Sequence, residues 1–108
     1  MDTFKVIYKI LKFLETCMDY SEIDVAPIEH EQLEITKEKW TSIMKMMADN
    51  GYIEGVEYKT YIHMAKPTIT DYSNIRITLR GLEYLNENST MKKLANLAKG
   101  IKDATPFI

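Results

Sequence analysis

The chain has 108 residues and a formal net charge of −2, with 45% hydrophobic and 28% charged residues but only four Gly and three Pro. This length supports one hydrophobic core but not two, and the composition is typical of a folded chain rather than a disordered one. The charge balance excludes a general electrostatic attraction to nucleic acid, so any binding of DNA must depend on a local surface.

The N-terminal apolar stretch "FKVIYKILKFL" is interrupted by three lysines and is shorter than the roughly 20 residues that a membrane-spanning helix needs. It also lacks the small-residue cleavage site of a secretory signal. A single cysteine, Cys17, cannot form an internal disulfide or a zinc cluster, which agrees with a reducing compartment. These features predict a cytoplasmic protein without a membrane partner.

Charge is distributed unevenly along the chain. Residues 21–35 contain five acidic residues and no Lys or Arg, which leaves a positive balance on the remainder. Residues 57–80 contain four cations against two acids. An anionic partner would therefore be attracted to this later region.

The first predicted helix runs roughly from Asp2 to Asp19. Apolar residues recur there at steps of three and four from Phe4 to Met18, and a second apolar row lies beside them. The apolar arc is too wide for a helix with one neighbour. The helix is therefore either central in the core or partly covered by another subunit.

A helix-turn-helix is predicted next. Pro27 suits the first turn of a short acidic helix that continues to Leu33, and Thr36 stands where an N-cap is expected for a longer helix, Lys37 to Asn50. Asn50-Gly51 supplies a left-handed stop. The apolar residues that share one face of the longer helix are Trp40, Ile43, Met44 and Met47.

The segment "GYIEGVEYKTYIHM" is rich in Tyr, Ile and Val and predicts a strand, with a break near Lys59-Thr60. The next segment, "AKPTITDYSN", predicts an exposed loop, and Asn74 to Thr78 predicts a returning strand. Two strands joined by a long tip form a wing. Helices from Leu79 to Glu87 and from Thr90 to Asp103 follow.

The predicted fold class is therefore α+β and mainly helical: a winged helix-turn-helix over residues 1–88, with a C-terminal helix and tail over residues 89–108. In the last helix a heptad-like stripe is a candidate dimer interface, and the alternative of equal weight is that the helix folds back on its own domain. The stripe consists of Met91, Leu94, Ala98 and Ile101.

The sequence resembles the YjcQ-like family, small winged-helix proteins of Gram-positive bacteria and their prophages. The resemblance rests on "DNGYIEGVEY" and "ITLRGLEYLNENSTMKKLANLAKGIKD" and extends roughly from Thr3 to Asp103. It implies the fold and a role in DNA binding or in the regulation of phage-type genes, but it supplies no functional residues. From the residues themselves, Gly81 is expected to allow close packing and Gly55 to mark a bulge or a close backbone approach.

In a winged helix-turn-helix the second helix of the motif enters the major groove and the wing contacts the backbone or minor groove. If Trp40 is buried, a turn of about 100° per residue directs the opposite face of this helix to solvent. Base contacts are predicted for Thr41, Ser42 and Lys45, and phosphate contacts for Lys37 and Lys39. Glu38 and Asp49 lie on the same face and would repel phosphates.

The wing offers a second candidate surface for DNA. Its predicted cations are Lys59, His63, Lys66 and Arg76.

The alternative function is a protein-interaction module that does not bind DNA. It would use the apolar stripe of the first or last helix together with the acidic residues Glu29, Glu31 and Glu34. A continuous positive band would favour DNA, and an isolated apolar patch would favour a protein partner. No enzyme, cofactor or metal is predicted, because Cys17 lies on an apolar helix face and "HEQLE" is not a two-histidine zinc motif.

Overall fold

The structure, a computed structural model, describes residues 2–59 and 68–88. The described helices are α1 (Thr3–Thr16), α2 (Lys37–Asp49) and α3 (Leu79–Glu87). Four short strands lie between α2 and α3: β1 (Ile53–Glu54), β2 (Glu57–Lys59), β3 (Thr68–Asp71) and β4 (Arg76–Ile77). Single 3-10 turns occupy Cys17–Asp19 and Ala26–Ile28.

This mixed and mainly helical arrangement confirms the predicted fold class and is compatible with a winged helix. The predicted last helix, with its stripe Met91, Leu94, Ala98 and Ile101, lies outside the described residues. So do His63 and Lys66 of the predicted wing. Within residues 2–59 and 68–88 no helix is both long enough and apolar enough to span a membrane.

Helix α1 is central in the core. Val6, Ile10 and Leu11 are fully buried, and the helix packs against α2, α3, β4 and the second 3-10 turn. This supports the interpretation of the wide apolar arc as a core helix. The two ends of the predicted arc are exceptions, since Phe4 is 58% exposed and Met18, beyond the end of α1, is 55% exposed.

Helix α2 agrees with the predicted helix to within one residue. The Thr36 hydroxyl accepts a hydrogen bond from the Lys39 amide at 3.1 Å, so the predicted N-cap is confirmed. Gly51 has φ +78° and ends the helix in the left-handed region, as the Asn-Gly pair predicts. The buried face of α2 consists of the predicted residues Trp40, Ile43, Met44 and Met47.

The prediction of an α-helix from Pro27 to Leu33 is wrong. The chain forms a 3-10 turn and then a series of turns in which Glu34 has φ 59°. In an α-helix the Ile28 carbonyl would accept from the amide four residues later. Here it accepts from the Trp40 indole N–H at 2.8 Å instead. The first helix of the predicted helix-turn-helix is therefore reduced to a 3-10 turn.

The wing has two more strands than predicted. Part of the predicted loop forms β3, which pairs antiparallel with β2 and places Tyr58 opposite Ile69. Strand β1 pairs with β4, with Ile53 opposite Ile77. Gly55, at φ +85°, separates β1 from β2, so the outgoing strand is interrupted four residues before the predicted break. The β-branched run of Thr68, Ile69 and Thr70 favours the extended conformation and explains β3.

The junction between β4 and α3 is fixed to the end of α2. The Thr78 hydroxyl donates a hydrogen bond to the Gly51 carbonyl and accepts one from the Gly81 amide at 3.2 Å. A Cβ at Gly81 would lie 2.6 Å from Ile77 Cγ1 and closer still to the Tyr52 carbonyl oxygen, which confirms the expected close packing. The strand can therefore turn directly into a helix because residue 81 has no side chain.

Candidate nucleic-acid interface

The outward face of α2 presents the side chains that the sequence predicts for it. Lys37, Glu38 and Ser42 are exposed, and Thr41 and Lys45 are partly exposed. Because Trp40 and its neighbours bury the opposite face, the orientation of α2 is fixed by packing rather than by surface charge. The structure therefore brings the predicted helix residues Lys37, Lys39, Thr41, Ser42 and Lys45 together on one element.

A cluster of Lys45, Asp49 and Tyr58, which we name the helix–wing junction, connects α2 to β2. Lys45 Nζ lies 2.7 Å from Asp49 Oδ2, and the Tyr58 hydroxyl donates to Asp49 Oδ1 at 3.2 Å. Lys45 Nζ is also 5.3 Å from the centre of the Tyr58 ring. These contacts hold the first strand of the β2–β3 hairpin beside the helix that carries the candidate base contacts.

The junction also changes the electrostatics of the interface. Its hydrogen bond to Lys45 lowers the pKa of Asp49, and the same bond raises the pKa of Lys45. Both groups are thus charged at neutral pH, and each offsets the field of the other. The predicted repulsion between Asp49 and phosphate is weakened, but so is the attraction of Lys45.

Sequence reasoning missed Tyr58. The spacing of four between Lys45 and Asp49 is visible in the sequence and is typical of a helical ion pair. The third member depends on how β2 docks against α2, which requires a tertiary contact.

Arg76, a predicted wing cation in β4, contacts backbone carbonyls near the end of α1. Its guanidinium donates from Nη1 to the Cys17 carbonyl at 2.9 Å and from Nη2 to the Ser21 carbonyl at 2.6 Å. These acceptors lie at the end of α1 and just beyond it, where carbonyl groups carry partial negative charge. Arg76 therefore fastens β4 to the end of α1, and Lys59 is the predicted wing cation that the described residues leave exposed.

This role of Arg76 predicts an effect on stability. Arg76→Ala is expected to lower the free energy of unfolding by about 1.5 to 3 kcal/mol, because hydrogen bonds from a charged donor are lost. Lys59→Ala removes an equal charge from an exposed site and should change stability by less than about 0.5 kcal/mol. Urea unfolding of both variants, followed by circular dichroism, measures the difference. Equal stabilities would contradict the assignment.

An aromatic cluster packs around Trp40 on the buried face of α2. The rings of Trp40 and Tyr72 meet edge to face with centres 5.1 Å apart, and the His30 ring lies 6.2 Å from Trp40. The Tyr72 hydroxyl donates to Glu29 Oε2 at 3.0 Å. Burial and this carboxylate raise the pKa of Tyr72 to about 12. His30 is thus part of the packing around Trp40.

The described residues do not form the metal site that the His30 and Glu34 spacing could suggest. His30 and Glu34 do not share a helix face, because the segment that carries them is a series of turns. Within residues 2–59 and 68–88 no group of His, Cys, Asp and Glu is arranged to hold a metal ion. Cys17 is buried, as its apolar helix face predicts.

Comparison with known proteins gives one match. A family model described as "YjcQ protein" matches residues 8–104, and thus includes α2, the wing and α3. Searches of curated proteins and of solved structures found no match. Since the family model covers most of the chain, this protein belongs to the YjcQ family.

Proposed function

We propose that this protein binds duplex DNA through the outward face of α2 and the β2–β3 hairpin. The helix–wing junction is the observation that carries the proposal. In it, Lys45 and Asp49 of α2 contact Tyr58 of β2. This places the hairpin beside the helix that a winged helix-turn-helix inserts into the major groove.

The chemistry of the α2 face supports the proposal. Lys37 lies in the first turn, where a helix N-terminus and a cation together favour phosphate. Thr41 and Ser42 follow on the outward side, and their hydroxyl groups can donate to base edges or accept from them. Glu38 opposes this surface. Binding should therefore be modest and strongly dependent on salt.

The proposed role is that of a regulator that acts by occupying DNA and not by catalysing a reaction. The resemblance of the sequence to small winged-helix proteins of prophages supports regulation of phage-type genes. Dimerisation through Met91, Leu94, Ala98 and Ile101 stays a prediction, because those residues lie outside the described part of the chain.

The proposal predicts salt-dependent binding that one substitution abolishes. Fluorescence anisotropy of a mixed pool of labelled duplexes, titrated from about 50 to 200 mM salt, should show affinity falling with a slope that corresponds to several phosphates. Ser42→Glu should abolish binding, because it adds a carboxylate to the centre of the α2 face. Lys37→Ala should reduce the salt slope by about one unit.

Lys5→Ala serves as the matched control, since it removes the same charge from an exposed position on α1. Lys45→Ala is a poor test, because it also breaks the helix–wing junction. Absence of binding at the lowest salt would refute the proposal. A Ser42→Glu variant that binds as the unmodified protein does would also refute it, once circular dichroism shows that the variant is folded. A Lys5→Ala variant that lowers the salt slope as much as Lys37→Ala does would refute the assigned phosphate contact.

A further inference from the structure

A groove follows the C-terminal half of α1, away from the outward face of α2. It encloses about 490 Å³ between α1 and the segment that begins at the second 3-10 turn. Its apolar lining includes Tyr8, Phe13, Pro27 and Leu33. Because Phe13 and Tyr8 are only partly buried and Pro27 is exposed, apolar surface remains in contact with water there.

A second groove of about 590 Å³ continues from the first. Phe13 and Thr16 line both, so the two grooves adjoin at the C-terminal end of α1, and together we name them the α1 groove. Its far end carries Tyr20, which is 65% exposed, and the acidic side chains of Asp19 and Glu22. The α1 groove is therefore apolar at one end and acidic at the other.

The segment that follows Lys12 along the α1 groove is strongly negative. Residues 13–36 contain seven acidic residues and no Lys or Arg. Lys9 and Lys12 border the apolar end, where Glu15 lies 2.8 Å from Lys12 and offsets its charge. The acidic side chains are therefore concentrated at the far end of the groove, at Asp19, Glu22 and Asp24. Phosphate groups would be repelled by this acidic end, whereas Lys or Arg side chains would be attracted to it.

We propose that the α1 groove docks a segment of a protein partner in which a bulky apolar side chain lies beside Lys or Arg residues. The apolar side chain would cover Phe13 and Pro27 and remove their surface from water, the main favourable term in association. The cations would meet Asp19 and Glu22. This site is separate from the proposed DNA surface and does not depend on it.

The docking proposal can be tested with a fluorescently labelled model peptide of leucine and lysine. Its leucines are spaced so that they share one helix face. The full-length protein should bind it in anisotropy titrations. Thr16→Trp should weaken binding at least about tenfold, because Thr16 is exposed and borders both halves of the α1 groove. The double variant Asp19→Lys, Glu22→Lys should weaken it similarly through charge repulsion.

Glu83→Lys combined with Glu87→Lys is the matched control, because it makes the same charge change at exposed positions of α3. The proposal is overturned if this control weakens binding as much as the Asp19, Glu22 pair, since general electrostatics would then explain the affinity. It is also overturned if a peptide with serine in place of leucine binds equally well. Self-association of the unmodified protein that Thr16→Trp abolishes would make a second copy the occupant, and would likewise overturn it.

Discussion

Replacing Trp40 by Ala is expected to lower the free energy of unfolding by about 3 to 5 kcal/mol, the range for a buried aromatic side chain. Trp40 is only 4% exposed, packs edge to face on Tyr72 and donates its indole N–H to the Ile28 carbonyl. The variant loses that packing and leaves a buried acceptor unpaired. Because Trp40 is the single tryptophan, chemical unfolding should be followed by circular dichroism and not by fluorescence.

Trp40→Phe separates the two contributions. It keeps an aromatic ring against Tyr72 but removes the donor to Ile28, so it should cost about 1 to 3 kcal/mol through the unpaired carbonyl. A loss for Trp40→Ala of under about 1 kcal/mol would mean that α2 is not oriented as described. Equal losses for the two variants would place the whole effect on the hydrogen bond.

The elements that sequence reasoning predicted well are those with local signals. Thr36 caps α2, Asn50-Gly51 ends it, and the spacing of three and four from Trp40 to Met47 defines its buried face. Helix α3 begins and ends at the predicted residues, Leu79 and Glu87, and Thr78 caps its N-terminus. In each case the determining residues lie within about one helical turn of the feature that they determine.

The features that sequence reasoning missed depend on contacts between distant residues. The short acidic helix is absent, and the Ile28 carbonyl accepts a hydrogen bond from the indole of Trp40, twelve positions later, instead of from a helical amide. Arg76 was predicted as a wing cation from its charge and its place in the returning strand, but its hydrogen bonds to carbonyls 55 and 59 positions earlier were not predicted. Neither partnership has a signal in the local sequence.

The candidate site shows the same division. The outward residues of α2 follow from the position of Trp40 and helical geometry, so the sequence predicted them. The helix–wing junction also requires the placement of Tyr58, which is set by the pairing of β2 with β3 and by the bend at Gly55. The geometry that supports DNA binding was therefore the part that the sequence could not show.

Gly55→Ala should be among the most destabilising substitutions in the wing, with an expected loss of about 2 to 5 kcal/mol. A left-handed conformation costs a residue with a Cβ about 1 to 2 kcal/mol, and forced overpacking adds about 1 to 3 kcal/mol. Gly55 meets both conditions. Its φ is +85°, and a Cβ there would lie 2.7 Å from the Asn74 carbonyl carbon and closer to its oxygen.

Gly51→Ala supplies the matched control, because it isolates the conformational cost. Gly51 has a similar φ of +78°, but the nearest atom to an added Cβ is Cδ of the Arg80 side chain, at 3.3 Å. Since that flexible side chain can move, Gly51→Ala should cost only about 1 to 2 kcal/mol. Parallel urea unfolding of the two variants measures the difference. If Gly55→Ala is no less stable than Gly51→Ala, the backbone of Asn74 does not approach Gly55 as closely as described, and the bend that leads β2 to α2 must have another cause.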